Sequence, residues 1–310
     1  MPHGRALHVR PRPHSDRGQG AALMAAPAPT ALADRFVTVD GLATRYVEAG
    51  SGVPAILLHG ASLGSSLDVW RHNLRPLAGF GVRAIAYDQP GFGLSDDPPE
   101  WGLGYRTSFI LRFMDALRLE RAALVGHSQS GAMAVALALS HPSRVSHVVV
   151  LGTGSLLPPL PDQPEKKRGP AEGEEGGDTE PTIADTRALL EANLFNQALI
   201  TEEDVALRHR MSTGKNFRAF LARNRAAAEK RAAGDGAVGK QPLWQRLGEV
   251  RQPMLLIYGR EDRGKAGARA ALAKERMPSL NLHIVPGCKH LVPWDAADTF
   301  HRLAGPFLRG

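Results

Sequence analysis

Three residues of the 310-residue chain have the types and order needed for nucleophilic acyl chemistry: Ser128, Asp262 and His290. Ser128 sits in Leu124-Val125-Gly126-His127-Ser128-Gln129-Ser130-Gly131. An apolar strand ends at Val125 and a helix begins near Ser130, so the serine falls on a sharp strand-to-helix turn. Such an elbow lifts a hydroxyl above the sheet edge, and it needs small residues on either side because the two backbones approach closely. Gly126 and Gly131 meet that need, and Ser130 stands where glycine is commoner. A serine hydroxyl is a weak nucleophile without a base. His290, in Pro286-Gly287-Cys288-Lys289-His290, can take its proton, and Asp262, in Gly259-Arg260-Glu261-Asp262, can hold the imidazole in the right tautomer. Glu261 is the rival acid.

Attack on a carbonyl also needs donors for the developing oxyanion. Leu57-Leu58-His59-Gly60-Ala61 follows an apolar run, and the amides of Ala61 and Gln129 are the expected pair. Asp88-Gln89-Pro90-Gly91-Phe92-Gly93 ends another run and is expected to shape the pocket wall, with Asp88 structural. Cys288 lies two residues from the candidate base but lacks an elbow, so it reads as a packed loop residue. His59, His127 and His290 do not have metal-ligand spacing, and no metal or cofactor is called for by this chemistry.

These residues must be positioned by a sheet. Phe36–Val39 and Thr44–Val47 flank Asp40-Gly41, a hairpin signal. Apolar runs follow at Ala55–Leu58, Arg83–Tyr87, Ala122–Val125, Val145–Leu151, Met254–Tyr258 and Leu280–Val285, with helix-length stretches such as Ser108–Leu117 and Gly131–Ser140 between them. Alternation of this kind predicts an α/β fold with a mostly parallel central sheet and helices on both faces. The alternation breaks over 154–247, where helical periodicity runs from Ile183 to Ala233 before Gly234–Gly239 interrupts it. That layout predicts a helical cap inserted into a core made of 34–153 and 248–310. Residues 162–181, rich in Pro, Gly and Glu, are expected to form a flexible loop in the cap.

Composition sets the class. The chain is 43% hydrophobic and 22% charged, which is globular, and no apolar run is long enough to span a membrane as a helix. A single cysteine excludes an internal disulfide and a Cys-rich zinc site, and it fits a reducing, cytoplasmic compartment. The net charge of +7 comes largely from arginines in the N-terminal extension and in 208–231. They lack interleaved aromatic residues, so nucleic acid is not the expected partner, whereas a basic surface can steer small anions to a site. Residues 1–33 are rich in Pro, Ala and Arg and carry no continuous apolar core of a secretory signal. They are expected to be a disordered extension, with Met24 an alternative start.

Together these motifs resemble the α/β-hydrolase superfamily over about Phe36 to Phe307, including its order of serine, then acid, then histidine. Within it the chain resembles the meta-cleavage-product hydrolases, which hydrolyse a C–C bond in 2-hydroxy-6-oxo-dienoates from aromatic-ring degradation. Asp88–Asp96, the cap stretch Leu194-Phe195-Asn196 to Glu203, and the tail from Trp294 to Leu303 carry that likeness. The resemblance implies that Arg208, a few residues after Thr201-Glu202-Glu203, binds the anionic end of the substrate; a solvated helix-face arginine is the alternative. Three departures bear on the pocket. The family usually has Asn where His127 precedes the nucleophile, Gly at Ser130, and often Trp where Leu291 follows the histidine.

The expectation is therefore a cofactor-independent serine-triad hydrolase acting on a small anionic molecule. Its catalytic residues would be Ser128, Asp262 and His290, its oxyanion donors Ala61 and Gln129, and its pocket residues Arg208, His127 and Leu291. A carboxylesterase with the same triad is the second reading, and a ligand-binding receptor on this fold is the third. No membrane partner is expected, and a homo-oligomer is left open.

Overall fold

The computed structural model describes residues 32–162, 178–233 and 241–310. The expected extension therefore lies outside the described residues up to position 31, as do 163–177 of the expected loop and the glycine-rich break after Ala233.

Among the described residues, eight strands form one sheet: β1 (Arg35–Val39), β2 (Leu42–Ala49), β3 (Val53–Leu58), β4 (Val82–Tyr87), β5 (Ala122–His127), β6 (Val145–Leu151), β7 (Met254–Gly259) and β8 (Asn281–Val285). Their order is β1-β2-β4-β3-β5-β6-β7-β8. The first two strands form the expected hairpin, with Asp40 and Gly41 both at positive φ, as a tight two-residue turn requires. β2 also runs antiparallel to β4, and every later pairing is parallel.

Nine helices accompany the sheet among the described residues: α1 (Leu74–Ala78), α2 (Leu103–Ala116), α3 (Gln129–Ser140), α4 (Ile183–Asn193), α5 (Glu202–Arg210), α6 (Lys215–Ala232), α7 (Ala266–Arg276), α8 (Val292–Asp295) and α9 (Ala297–Arg309). The strands are apolar on both sides because both sides are covered. Ile56, Leu58, Leu124, Val148, Val150 and Tyr258 pack with Phe109 and Phe113 of α2, Met133 of α3 and Ala270 of α7. The intervening residues Ala55, Leu57, Val125, Val149 and Ile257 pack with Leu74 and Leu77 of α1 and Phe300 and Ala304 of α9. Side chains alternate between faces with a period of two, so one strand feeds both cores.

The segment between β6 and β7 holds α4, α5 and α6. Its helical periodicity is divided rather than continuous, and the divisions are chemical. Thr182 with Asp185 and Thr201 with Asp204 form capping boxes that start α4 and α5. The α2 helix begins five residues before the expected Ser108, since Gly102 offers no side-chain cap to mark its start.

Parallel strands end at one edge of the sheet, and this positions the site. Leu58 pairs with Gly126, His127 with Leu151, and Gly259 with Val285. The loops after β3, β5, β6, β7 and β8 consequently open on the same side.

Candidate active site

Ser128 occupies the turn between β5 and α3 with φ 55° and ψ −130°, a backbone conformation that L-residues rarely adopt. The close approach behind it explains the small neighbours. A Cβ on Gly126 would lie 2.4 Å from the Ser130 carbonyl oxygen, and one on Gly131 would lie 2.1 Å from Thr153 Oγ1. Hydrogen bonds hold the strained turn in place. The Ser128 amide donates to the Leu151 carbonyl at 2.8 Å, and the Thr153 hydroxyl donates to the Ser128 carbonyl at 2.6 Å. Ser130 fits where glycine is commoner because its hydroxyl donates to the His59 carbonyl at 2.6 Å.

The three residues singled out for chemistry converge. Ser128 Oγ is 3.0 Å from His290 Nε2, and His290 Nδ1 is 3.0 and 3.1 Å from the two carboxylate oxygens of Asp262. All three are buried. The carboxylate requires Nδ1 to carry the proton, which leaves Nε2 as the acceptor for the serine O–H. Arg263 Nη2 stands 3.2 Å from the same Nε2, a neighbour with no sequence signal of its own. Glu261 points elsewhere: its carboxylate accepts from the Cys288 amide and from Arg260. Cys288 is buried, with burial the main force pushing its thiol pKa up, and its Sγ–H donates to the Lys289 carbonyl.

The loop after β3 packs against the elbow, as a Cβ on Gly60 would lie 3.2 Å from Ser128 Cβ. Ala61 follows it, and Gln129 is the first residue of α3. His59 is structural: Nδ1 donates to the Gly60 carbonyl and Nε2 accepts from the Gln89 amide, so burial holds the ring neutral with a pKa of about 3. Asp88 is structural too. Its oxygens accept from the Leu67 and Leu94 amides at 2.6 and 2.9 Å and face Arg45, while burial lifts its pKa to about 6.

A cavity beside Ser128 is lined by Gly60, Ser62, Ser65, Val69, His127, Ser128, Leu189, Leu190, Asn193, Arg208, His290 and Leu291. Arg208, His127 and Leu291 thus share one space with the serine. Arg208 is not a solvated surface residue. Its Nη2 donates to Ser62 Oγ at 2.8 Å, its buried Nε has no hydrogen-bond partner, and burial lowers its pKa to about 10. No carboxylate pairs with it among the described residues. His127 Nε2 lies 2.9 Å from the His290 carbonyl. Asn193, at the end of α4, was not singled out by sequence, since its role depends on a carbonyl that accepts from the Leu291 amide at 3.0 Å. No cluster of metal-ligating side chains occurs among the described residues.

Comparison with known proteins places the chain in a family. Residues 54–297 match the family model of the alpha/beta hydrolase fold. A 2-hydroxy-6-oxononadienedioate/2-hydroxy-6-oxononatrienedioate hydrolase of Dechloromonas aromatica is 32% identical over 90% of this chain and 96% of its own length. A 2-hydroxy-6-oxo-6-phenylhexa-2,4-dienoate hydrolase of Burkholderia cepacia is 31% identical over 88% and 96%. Among solved structures, a meta-cleavage product hydrolase from Pseudomonas fluorescens IP01 superposes with a TM-score of 0.70 at 26% identity, covering 88% of this chain and 96% of that one. The chain belongs to the α/β-hydrolase family and, within it, to the group represented by these dienoate and meta-cleavage product hydrolases.

Proposed function

We propose that the enzyme hydrolyses the C–C bond of a 2-hydroxy-6-oxo-dienoate formed by ring fission, in the cytoplasm and without a cofactor. The observation that carries this reading is Arg208. A guanidinium in the same cavity as Ser128 and His290, bonded only to neutral hydroxyls and with a buried N–H left unpartnered, is costly unless an anion completes it. The carboxylate or dienolate end of the substrate supplies that anion.

In this reading the dienol is first ketonised by moving its hydroxyl proton to carbon. Ser128, or water activated in its place, then adds to the 6-oxo carbon, with His290 taking the proton and Asp262 stabilising the imidazolium. The Ala61 and Gln129 amides receive the oxyanion. Collapse breaks the C–C bond, its electron pair passes into the conjugated 2-keto system, and the proton held by His290 goes to the resulting dienolate to give a 2-hydroxydienoate. Water completes the acid product, so one water is consumed for each bond cleaved.

A carboxylesterase using the same triad is the second reading, favoured by His127 and Leu291 on the cavity wall. The test presents a yellow ring-fission product and a short p-nitrophenyl ester in parallel, each with a Ser128→Ala control. Fast Ser128-dependent bleaching with weak ester turnover is expected. Fast ester turnover without bleaching overturns the C–C assignment in favour of the esterase.

A further inference from the structure

Another buried guanidinium reaches the elbow without lining the cavity. Arg106 comes from α2, is 4% exposed, and forms no ion pair with any described carboxylate. Its donors go to two glutamines. Nε and Nη2 reach Gln89 Oε1 at 3.0 and 2.7 Å, and Nη1 reaches Gln129 Oε1 at 2.7 Å. Its guanidinium also stacks over Phe92, 4.9 Å from the ring centre.

Gln129 belongs to one arm of the candidate oxyanion hole, and Gln89, from the loop after β4, holds the other. Gln129 carries one of the two amides itself. Gln89 grips the loop that carries the other: its backbone N–H donates to His59 Nε2 at 3.0 Å, and its side-chain amide donates to the His59 carbonyl at 2.7 Å and to Ser130 Oγ at 3.2 Å. The Ser130 hydroxyl closes the ring of contacts on that same carbonyl. The two arms come from different strand ends, one after β3 and one after β5. Nothing in the sheet's own hydrogen bonding sets the spacing of the amides beyond those ends. A planar fork with fixed donor directions can set it, because both acceptors must lie where the fork points.

We propose that Arg106 is a positioning residue that sets the separation of the Ala61 and Gln129 amides by clamping Gln89 and Gln129 together. This rests on the reading of those amides as oxyanion donors. Oxyanion stabilisation depends on donors aimed at the transition state rather than at bound substrate. Loss of the clamp should therefore appear in turnover and not in substrate binding.

The test uses Arg106→Met and Arg106→Lys in the full chain. Three readouts are compared: kcat, substrate affinity measured in a Ser128→Ala background, and affinity for phenyl trifluoromethyl ketone, whose adduct with the serine places an oxyanion between the two amides. Arg106→Met is expected to lower kcat and ketone affinity together by about 10²-fold, with substrate affinity changed less than about 3-fold. Arg106→Lys is expected to recover only part of the loss, since an ammonium lacks the fork. Thermal melts establish that each variant is folded. If Arg106→Met does not fold, Arg106→Lys decides. Unchanged ketone affinity in the folded variant overturns the clamp, as does a kcat loss matched by an equal loss of substrate affinity. A wild type that binds the ketone but leaves the ring-fission product unbleached overturns the substrate reading alone, and the ketone series still judges the clamp. A wild type that binds no ketone overturns both.

Discussion

His127 Nε2 lies 2.9 Å from the carbonyl oxygen of His290, so the residue before Ser128 holds the backbone of the proposed base. A carbonyl only accepts, which places the proton of His127 on Nε2. Burial, reinforced by His290, keeps the ring neutral and its pKa well below the ordinary histidine value. His127 therefore supports the proposed triad through the main chain of His290. Replacing it with alanine should cost about 1 kcal/mol of stability from the lost hydrogen bond and lower kcat about 10-fold. Urea unfolding and steady-state kinetics check the two parts, and a variant as active as the wild type contradicts the role.

The strained turn makes a prediction of the opposite sign for stability. Ser128 sits at φ 55° and ψ −130°, where a Cβ is disfavoured and glycine is not. Ser128→Gly should be more stable than Ser128→Ala by about 1 kcal/mol, although both are inactive. Chemical denaturation of the two inactive proteins gives the comparison directly.

Space behind the elbow gives a third expectation. A methyl on Gly126 would meet backbone atoms of Ser130 and Gly131 at 2.4 and 2.5 Å, and main chain cannot step aside as a flexible side chain can. Gly126→Ala should destabilise by about 3 kcal/mol or more, in the range of severe overpacking, and should abolish turnover in whatever fraction folds. A melting temperature within a degree of wild type would count against the packing argument.

Acid should weaken the fold through buried neutral histidines. His59 has a folded pKa of about 3 against an unfolded value of 6.5, so between these values the unfolded chain binds a proton that the folded chain refuses. Stability contributed by the neutral ring is present above about pH 6.5 and is lost progressively as pH falls toward 3. His59→Gln, which cannot titrate, should show a flatter stability curve than wild type over that window. Parallel slopes for the two proteins would rule out His59 as the source.

Removing the cavity cation should separate substrates by charge. Arg208→Ala is expected to slow cleavage of an anionic dienoate by about 10²-fold, the size of a charge-assisted hydrogen bond, while a neutral ester loses less than about 3-fold. Equal losses on both substrates would remove Arg208 from substrate recognition.

Much of this architecture is legible in the amino-acid order because it depends on local chemistry. Alternating apolar runs mark the strands, Asp40-Gly41 marks the hairpin, and Gly126 with Gly131 marks a turn that only small residues permit. Ser128, Asp262 and His290 are readable since each follows a strand, and parallel strands end at one edge. What could not be read is set by tertiary contact. Arg106 looks like one more charge on an amphipathic helix until Gln89 and Gln129 are brought to it. Asn193 acts through its main chain, which no side-chain pattern reports. The start of α2 at Leu103 carries no capping side chain, so nothing in the local sequence marks it.

The hydrogen bond from the Leu291 amide to the Asn193 carbonyl joins the last turn of α4 to the residue after the base. Asp295 adds a second seam, accepting from the amides of Phe195 and Asn196 on one side and from Lys289 on the other. The helices between β6 and β7 are thus not an interchangeable module resting on a finished catalytic core. A chimaera that imports another enzyme's insert inherits a new backbone partner for the loop bearing His290, so grafted selectivity and native base geometry come as one package. Libraries aimed at new substrates should therefore vary side chains on α4 and α5 while keeping the main-chain path through 193–196 intact.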